Sequence, residues 1–468
     1  MKLPKDYKDY LLQHWNVEDV EILVQGLEAE PSVSIRLNPS RLPADALPLG
    51  ADGRVPWCQE GVYLRERPQF TADPLLHAGA YYVQEASSMF LAHVVRWLLK
   101  HFPAPAVALD LCAAPGGKST LLRSFLPDDC WLMSNEPLRS RAQVLAENMA
   151  KWGHPRVMVT QAYAAEIAHF IGEQLDFILA DVPCSGEGMF RKEEEALRQW
   201  SPAFVNDCAA LQRSIVQDIW PALRPGGILV YSTCTFNPEE DELNVEWIAR
   251  ELGAEVLRIP LDDAWGIRGD LRKASAAVAG SHLPLPCYHF LPGAVRGEGF
   301  FLAVLQKCGE EKIHQKHTKS TEMPDFIDSL LKAVHSPQQY EKFSESVAKK
   351  NRFIDGKRTN QTRKNPSQPP KRDKAQQNIS TITVLPIDQL DDAAAPRVEL
   401  SLVDAVRYLQ RESLVLPSSA PLGRVQVCFQ GQRLGFMNNL GSRANNLYPK
   451  EWRIRSSYME AATLFPDS

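Results

Sequence analysis

The chain has 468 residues, of which 44% are hydrophobic and 23% charged, and its formal net charge is −5. That length is too great for one compact core, so two or three domains are expected. The acidic balance excludes a uniformly basic nucleic-acid binder, although a local basic surface would suffice for phosphate contacts. The sequence has no basic start followed by an apolar run, and no stretch of about 18 apolar residues. It therefore predicts a cytoplasmic protein without a membrane span.

Nine cysteines are spread along the chain without a Cys-x-x-Cys pair or a cysteine–histidine cluster with metal-ligand spacing. Their odd number argues against a complete disulfide framework. Reduced thiols, some of them reactive, and no bound metal are expected. The nine are Cys58, Cys112, Cys130, Cys184, Cys208, Cys234, Cys287, Cys308 and Cys428.

Residues 1–100 predict an N-terminal α+β subdomain, with helices at residues 6–12 and 17–27 and a strand at residues 34–37. From residue 101 to residue 307, short apolar runs alternate with helical stretches, as in βαβ units around a largely parallel sheet. Helices are predicted there at residues 139–152 and 204–223. The predicted strands are residues 106–111, 131–134, 156–160, 176–180, 228–232 and 300–305.

The last third of the chain divides into a polar stretch and a second apolar region. Residues 308–379 are poor in apolar residues, and residues 349–374 carry ten Lys or Arg against two Asp. This composition is typical of a flexible basic linker. Strand-like segments return at residues 382–385 and 425–429, which predicts a small β-rich C-terminal domain over residues 380–468.

The first motif with chemical content is DLCAAPGGKS at residues 110–119, where an apolar strand leads into a helix. Small residues there allow backbone N–H groups to approach a ligand, and the helix N-terminus favours an anionic group. The motif matches neither a phosphate-binding P-loop nor a G-x-G-x-x-G dinucleotide loop. One βα unit later, Glu136 follows a strand, where doubly wound sheets place a ribose-binding acid. A solvated loop acid is the alternative interpretation of Glu136.

Two further motifs each place a thiol after a strand. In DVPCSG, Cys184 follows Asp181 by three residues, and in STCT, Cys234 follows the next strand candidate. A single cysteine is most often a small buried apolar residue. Two thiols at the ends of strands, one of them near an acid, favour a chemical role instead.

These segments resemble the NOL1/NOP2/Sun family of RNA m5C methyltransferases, in which a cofactor loop, an Asp-x-Pro-Cys motif and a Thr-Cys motif occur in this order. The segments QEASSM at residues 84–89 and CSGEGMFRK at residues 184–192 resemble its bacterial RsmF-like branch, as do residues 429–435 and 446–450 of the tail. The resemblance implies a Rossmann-like class I S-adenosylmethionine-dependent methyltransferase core, an RNA-binding N-terminal subdomain and a PUA-like C-terminal RNA-binding domain.

The resemblance also implies which residues bind S-adenosyl-L-methionine. Glu136 would bind the ribose, Arg141 would lie nearby, and Asp181 would be shared between the cofactor and the target base. Residues 160–163 read TQAY where the family usually has a further acid, so the adenine must be contacted differently. The cofactor loop would be formed by Cys112, Ala113, Ala114, Pro115, Gly116, Gly117 and Lys118.

The same resemblance assigns the chemistry of cytosine C5 methylation to two thiols. Cys234 would attack C6 of the ring, since C5 is too weak a nucleophile without this activation. Asp181, held protonated, would donate a hydrogen bond to N3. Cys184 would assist release of the product. The base must be unstacked to be reached.

The expected partner is RNA, 16S ribosomal RNA or the small ribosomal subunit, and the protein is expected to be a monomer. Arg191, Lys192, the basic linker and the C-terminal domain are candidates for RNA contacts. Two alternatives stay open. One is methylation of an exocyclic amine on the same fold, and the other is a catalytically inert RNA-binding assembly factor.

Overall fold

The computed structural model describes residues 3–273, 284–309, 324–334, 383–385, 394–456 and 460–466. Its first part is a helical hairpin followed by a four-stranded antiparallel sheet in the order β2-β3-β1-β4. The strands are β1 (Val33–Leu37), β2 (Ala51–Val55), β3 (Cys58–Leu64) and β4 (Tyr81–Val83). The helices are α1 (Tyr7–His14), α2 (Val17–Glu28), α3 (Pro74–His77) and α4 (Phe90–His101).

The central sheet has nine strands, eight of them in the order β10-β12-β9-β8-β5-β6-β7-β13, while β11 pairs with β12. Strands β5 to β9 are mutually parallel, and β12 runs antiparallel to β9. The strands are β5 (Val107–Asp110), β6 (Trp131–Asn135), β7 (Val157–Gln161), β8 (Leu175–Asp181), β9 (Leu223–Thr233), β10 (Ala254–Leu257), β11 (Tyr288–Phe290), β12 (Phe300–Lys307) and β13 (Thr383–Leu385).

Helices cover both faces of this sheet, which explains why its inner strands are apolar along nearly their whole length. In β8, for example, every residue except Asp181 is buried. Apolar clusters lie on the two faces, with Leu179 in one and Ile178 in the other. The helices are α5 (Gly117–Phe125), α6 (Arg139–Trp152), α7 (Ala164–Ile171), α8 (Glu194–Gln199), α9 (Pro202–Ile219), α10 (Glu242–Glu251) and α11 (Asp325–Val334).

The C-terminal part contains a four-stranded sheet in the order β14-β15-β16-β17 and one helix. It packs on the N-terminal sheet, and apolar residues of both parts form one cluster. The Leu464 backbone N–H, for example, donates to Asp73 Oδ2 at 3.0 Å. The elements are β14 (Arg397–Glu399), α12 (Leu402–Leu409), β15 (Gly423–Phe429), β16 (Gln432–Asn439) and β17 (Ala444–Asn446).

These elements confirm the predicted fold class, an α/β Rossmann-like core with an N-terminal α+β part and a β-rich C-terminal part. Two details differ from expectation. Helix α11 lies within the predicted linker, and Phe326, Ile327 and Leu330 on one of its faces pack into the core. Strand β13, expected in the C-terminal domain, pairs antiparallel with β7 of the central sheet. The basic stretch at residues 349–374 lies outside the described residues, and the domain boundaries remain a prediction.

The topology fixes where a ligand can bind. The chain runs from β5 outward to β7 and then returns to place β8 on the other side of β5. Ligands of such sheets bind beyond the carboxyl ends of the strands at this reversal. The loops after β5, β6, β8 and β9 meet there, and these loops carry Glu136 and the DLCAAPGGKS, DVPCSG and STCT motifs. Within the described ranges, no helix is long and apolar enough to cross a bilayer.

Candidate active site

The loop from Cys112 to Lys118, called here the cofactor loop, connects β5 to α5. Gly116 adopts a φ of 118°, a backbone conformation that residues other than glycine rarely adopt. The peptide between Ala114 and Pro115 is cis. Helix α5 begins at Gly117, so its N-terminal N–H groups and helix dipole lie at the end of the loop. The loop therefore offers a backbone cradle to an anionic or polar ligand.

Cys112 contributes its backbone to this loop. Its side chain packs at the edge of an apolar cluster. Burial and the nearby Asp110 raise the pKa of the Cys112 thiol well above its ordinary value. The thiol is therefore protonated and unreactive.

Asp110, at the end of β5, is a polar residue of the site to which the sequence analysis gave no role. It is fully buried and accepts a 2.6 Å hydrogen bond from Ser119 Oγ. Its second oxygen, Oδ1, has no hydrogen-bond partner among the described residues. Burial raises the pKa of Asp110 to about 7. Its position as the first letter of the DLCAAPGGKS motif was the signal that could have identified it.

Glu136 directly follows β6 and is only 1% exposed. It accepts a hydrogen bond from the Leu138 backbone N–H at 3.0 Å and forms a 3.2 Å ion pair with Arg141. Arg141 also donates to the carbonyl of Ala114 at 3.0 Å. Glu136 and Arg141 thus lie beside the cofactor loop, as the resemblance implied. The solvated-acid interpretation of Glu136 does not fit this burial.

The segment that departs from the family pattern is held by Asn135. The Asn135 side chain accepts from the Ala162 N–H at 3.1 Å and donates to the Ala162 carbonyl at 3.0 Å. Tyr163, the next residue, is 66% exposed. The backbone at Ala162 is therefore already engaged within the protein.

Asp181 bonds both to the cofactor loop and to β9, the strand that ends just before Cys234. Its Oδ2 accepts from Lys118 Nζ at 2.8 Å, and its Oδ1 accepts from Ser232 Oγ at 2.8 Å. Burial lowers the pKa of Lys118, but the ion pair and hydrogen bond with Asp181 outweigh it and leave that pKa above its ordinary value. Donation from Asp181 to a base would require one of these two contacts to be released. The protonated form of Asp181 stays a prediction.

The two thiols lie next to each other, with Cys184 Sγ 3.1 Å from Cys234 Sγ. The Cys234 backbone N–H also points to Cys184 Sγ at 3.4 Å. The hydrogen bond with Cys234 and burial raise the pKa of Cys184 well above its ordinary value. Cys184 is therefore the thiol of the pair that retains its proton.

Arg191, a candidate RNA contact, is used inside the protein. It is 6% exposed and lies 2.7 Å from Glu298, which is 3% exposed. It also donates to the carbonyls of Gly26 and Gly297 at 3.2 and 2.8 Å. Sequence cannot distinguish an exposed basic residue from one whose partner lies 107 residues away, and these internal contacts argue against Arg191 as an RNA contact. Lys192 also faces Glu298, at 3.3 Å, but is 35% exposed.

All nine cysteines are free. One of them, Cys287, lies with Glu242 and His289 in a buried group whose potential ligand atoms are within 4.8 Å of one another. Within it, His289 Nε2 and Glu242 Oε1 form a 2.9 Å hydrogen bond. No cysteine–histidine cluster was predicted from the sequence. Cys287 and His289 are two positions apart, but Glu242 joins them only in the folded chain.

Family comparisons match three successive parts of the chain. Residues 3–86 match the N-terminal domain of 16S rRNA methyltransferase RsmF, residues 101–306 match 16S rRNA methyltransferase RsmB/F, and residues 395–454 match the methyltransferase RsmF PUA domain.

Similar curated proteins carry the same name. Ribosomal RNA small subunit methyltransferase F of Klebsiella pneumoniae is 37% identical over 258 residues, which cover 54% of this chain and 51% of that protein. The protein of the same name from Escherichia coli O139:H28 is 36% identical over 286 residues, covering 58% and 57%. The aligned part thus spans about half the length of these relatives.

Solved structures show the same fold. A methyltransferase homolog from Pyrococcus horikoshii aligns with a TM-score of 0.54 and 26% identity, over 65% of this chain and 95% of that one. NSun6 from Pyrococcus horikoshii with SFG aligns with a TM-score of 0.51 and 20% identity, over 66% and 99%. These likenesses concern the fold. The three family matches, in their order along the sequence, show that the chain belongs to the RsmF-like branch of the Sun family of methyltransferases.

Proposed function

We propose that this protein is an S-adenosylmethionine-dependent RNA (cytosine-5) methyltransferase acting on 16S ribosomal RNA of the small subunit. The observation that carries the proposal is the pair of free thiols 3.1 Å apart, next to the Lys118–Asp181 ion pair at the ends of β8 and β9. Methylation of an exocyclic amine needs no covalent nucleophile, and a scaffold protein needs neither thiol. The names of the curated relatives support the RNA substrate.

The residues around the cofactor loop fit S-adenosylmethionine. Gly116 and the start of α5 provide backbone donors, and Glu136 provides a carboxylate for ribose hydroxyls. When bound, the cofactor supplies an electrophilic methyl group.

The thiols and the ion pair fit a covalent mechanism. The Cys234 thiolate forms a bond to C6 of cytosine, which makes C5 nucleophilic, and the methyl group is then transferred to C5. Loss of the C5 proton restores the C5–C6 double bond and expels the Cys234 thiolate. Cys184, whose raised pKa retains its proton, lies 3.1 Å from the sulfur that must leave. The net reaction adds one methyl group to the base and releases one proton.

In this mechanism, Asp181 and Lys118 act on the charge that develops in the ring and on the sulfur. Asp181 can contact the amidine edge of the base, and the Lys118 ammonium can stabilise the anionic sulfur before attack and after release. The pair is partly buried, which strengthens both effects relative to a fully solvated ion pair.

Covalent catalysis is tested with single-thiol variants, RNA substrate and a denaturing gel. Cys234→Ala should form neither methylated product nor an RNA adduct. Cys184→Ala should attack and methylate, then remain attached to RNA through Cys234. The double variant should behave like Cys234→Ala. An adduct on Cys234→Ala but not on Cys184→Ala would reverse the two roles. Absence of any adduct, even from wild type with a 5-fluorocytosine substrate, would exclude the mechanism.

Cofactor binding is tested by calorimetry with S-adenosylhomocysteine, with and without divalent ions. Binding that does not depend on an ion supports the proposal. No binding would favour the inert scaffold. The cytoplasmic location and the monomeric state remain predictions, which fractionation and light scattering can examine.

A further inference from the structure

The loop at residues 182–190, which contains Cys184, and the loop at residues 234–241, which begins with Cys234, are called here the thiol loops. Two buried carboxylates connect them by hydrogen bonds, one carboxylate from each loop. Glu187, in the first loop, accepts a 2.8 Å hydrogen bond from the Phe236 backbone N–H of the second. Glu240, in the second loop, accepts a 3.0 Å hydrogen bond from the Ser185 backbone N–H of the first. Both glutamates are fully buried. Each thiol loop is thus held by an acid that belongs to the other.

Side-chain donors fix both acids in this crossed arrangement. The Asn237 amide donates to Glu187 at 3.1 Å and to Glu240 at 2.7 Å. Trp200 Nε1 donates to Glu187 at 2.8 Å, and Gln212 Nε2 donates to Glu240 at 2.7 Å. These contacts leave the two carboxylates little freedom to move.

This arrangement is unfavourable for stability. Burial and the neighbouring Glu240 raise the pKa of Glu187 to about 7, and burial raises the pKa of Glu240. Two like charges away from water cost free energy that apolar packing would not. Local arrangements that break this rule are concentrated at functional sites.

The two acids hold peptides that follow different cysteines. Glu187 holds the peptide two residues beyond Cys234, and the next residue, Gly188, donates its backbone N–H to the Cys234 carbonyl at 2.8 Å. Glu240 holds the peptide immediately after Cys184. Loss of one acid should therefore displace one sulfur more than the other.

We propose that Glu187 and Glu240 are positioning residues for different steps, Glu187 for attack by Cys234 and Glu240 for release assisted by Cys184. The proposal rests on the covalent function proposed above. Displacement of a reacting group by about 1 Å can cost about a hundredfold in rate, so each loss should be visible in one step.

The test compares Glu187→Gln and Glu240→Gln by quenched-flow measurement of RNA adduct formation and decay. Glutamine preserves the shape of the side chain but replaces one accepting oxygen with an NH₂ group that faces N–H donors. One hydrogen bond between the thiol loops is therefore lost in each variant. Glu187→Gln should form the adduct about 10- to 100-fold more slowly. Glu240→Gln should form it at nearly the wild-type rate but release it about tenfold more slowly, so that adduct accumulates.

Glu242→Gln is the matched control, because Glu242 is equally buried but bonds to His289 and Leu271 instead of the thiol loops. It should change neither rate, whatever its effect on the melting temperature. If a glutamine variant does not fold, Glu187→Asp and Glu240→Asp retain the charge with shorter reach and should show smaller effects on the same steps.

Equal slowing of both steps in both variants, or unchanged rates, would overturn the division of roles. These outcomes require a wild type that forms an adduct. If the wild type forms none, it is the covalent function that fails.

Discussion

The cofactor loop and the thiol loops, residues 182–190 and 234–241, lie at the same edge of one sheet but are built differently. The cofactor loop takes its form from its own sequence: glycines, a proline and the start of a helix. The thiol loops take their form from buried side chains that cross between them or reach in from other elements. The first is a locally encoded site, whereas the second exists only in the folded chain. Substitutions should therefore act differently in the two.

The largest stability effect is expected at Arg191. This residue directly follows a thiol loop and bonds to distant parts of the chain. Arg191→Ala leaves Glu298 buried without its closest partner, so the free energy of unfolding should fall by roughly 3 kcal/mol. Urea denaturation measures this loss. Lys192→Ala, at an exposed neighbour of the same acid, should cost under about 1 kcal/mol. Unchanged stability with a weaker salt dependence of RNA binding would instead make Arg191 an RNA contact.

Asp181 connects the two regions, so its loss should affect chemistry more than folding. Asp181→Ala should reduce the single-turnover rate of methyl transfer by about 10²- to 10³-fold, because its contacts matter most as charge develops. RNA affinity should stay nearly unchanged in a filter-binding titration. Ser232→Ala, which removes one donor to Asp181, should cost about tenfold or less. A near-normal rate for Asp181→Ala would show a structural role.

The pH dependence of the free energy of unfolding measures the cost of burying Glu187 in its thiol loop. Its pKa is raised from 4.5 to about 7, so its contribution to stability is fully present below about pH 4.5 and is lost as pH rises through about 7. Glu187→Gln does not titrate. From pH 5 to pH 8, its free energy of unfolding should therefore rise relative to wild type by up to about 3 kcal/mol. Parallel pH profiles would show that Glu187 has no raised pKa.

The smallest effect is expected in the locally encoded cofactor loop. Gly116→Ala places a Cβ at a φ of 118°, which costs about 1–3 kcal/mol, and that Cβ would lie 3.3 Å from Leu145 Cδ1. S-adenosylhomocysteine affinity should weaken about tenfold in calorimetry. Gly172→Ala is the control, since Gly172 also has a positive φ but faces open space far from the loop. Equal affinity in both variants would show that the loop tolerates side chains.

The sequence was informative wherever structure follows from neighbouring residues. The predicted strand at residues 131–134 became β6, and the predicted helix at residues 139–152 became α6 with the same ends. Apolar runs between turn residues specify buried parallel strands, and parallel strands bring the loops after their carboxyl ends together. The placement of Glu136, Asp181 and both thiols at one edge followed from this rule.

The sequence was silent where a residue's role depends on a distant partner. Glu187 and Glu240 are 53 positions apart, and no pattern in the sequence connects them. Arg191 read as an RNA contact, and α11 was taken for part of a tether, because their packing partners lie far along the chain.

The sequence by itself determined the alternating strands and helices around the motifs, the cofactor loop and the position of the two thiols after strands, because these depend on local pattern and residue type. Only the tertiary structure decided the 3.1 Å spacing of the sulfurs, the ion pair on Asp181 and the crossed carboxylates. The physical reason is that a buried polar group must find its partners within about 3 Å. Which residues come that close is fixed by the folded chain and not by their separation in sequence.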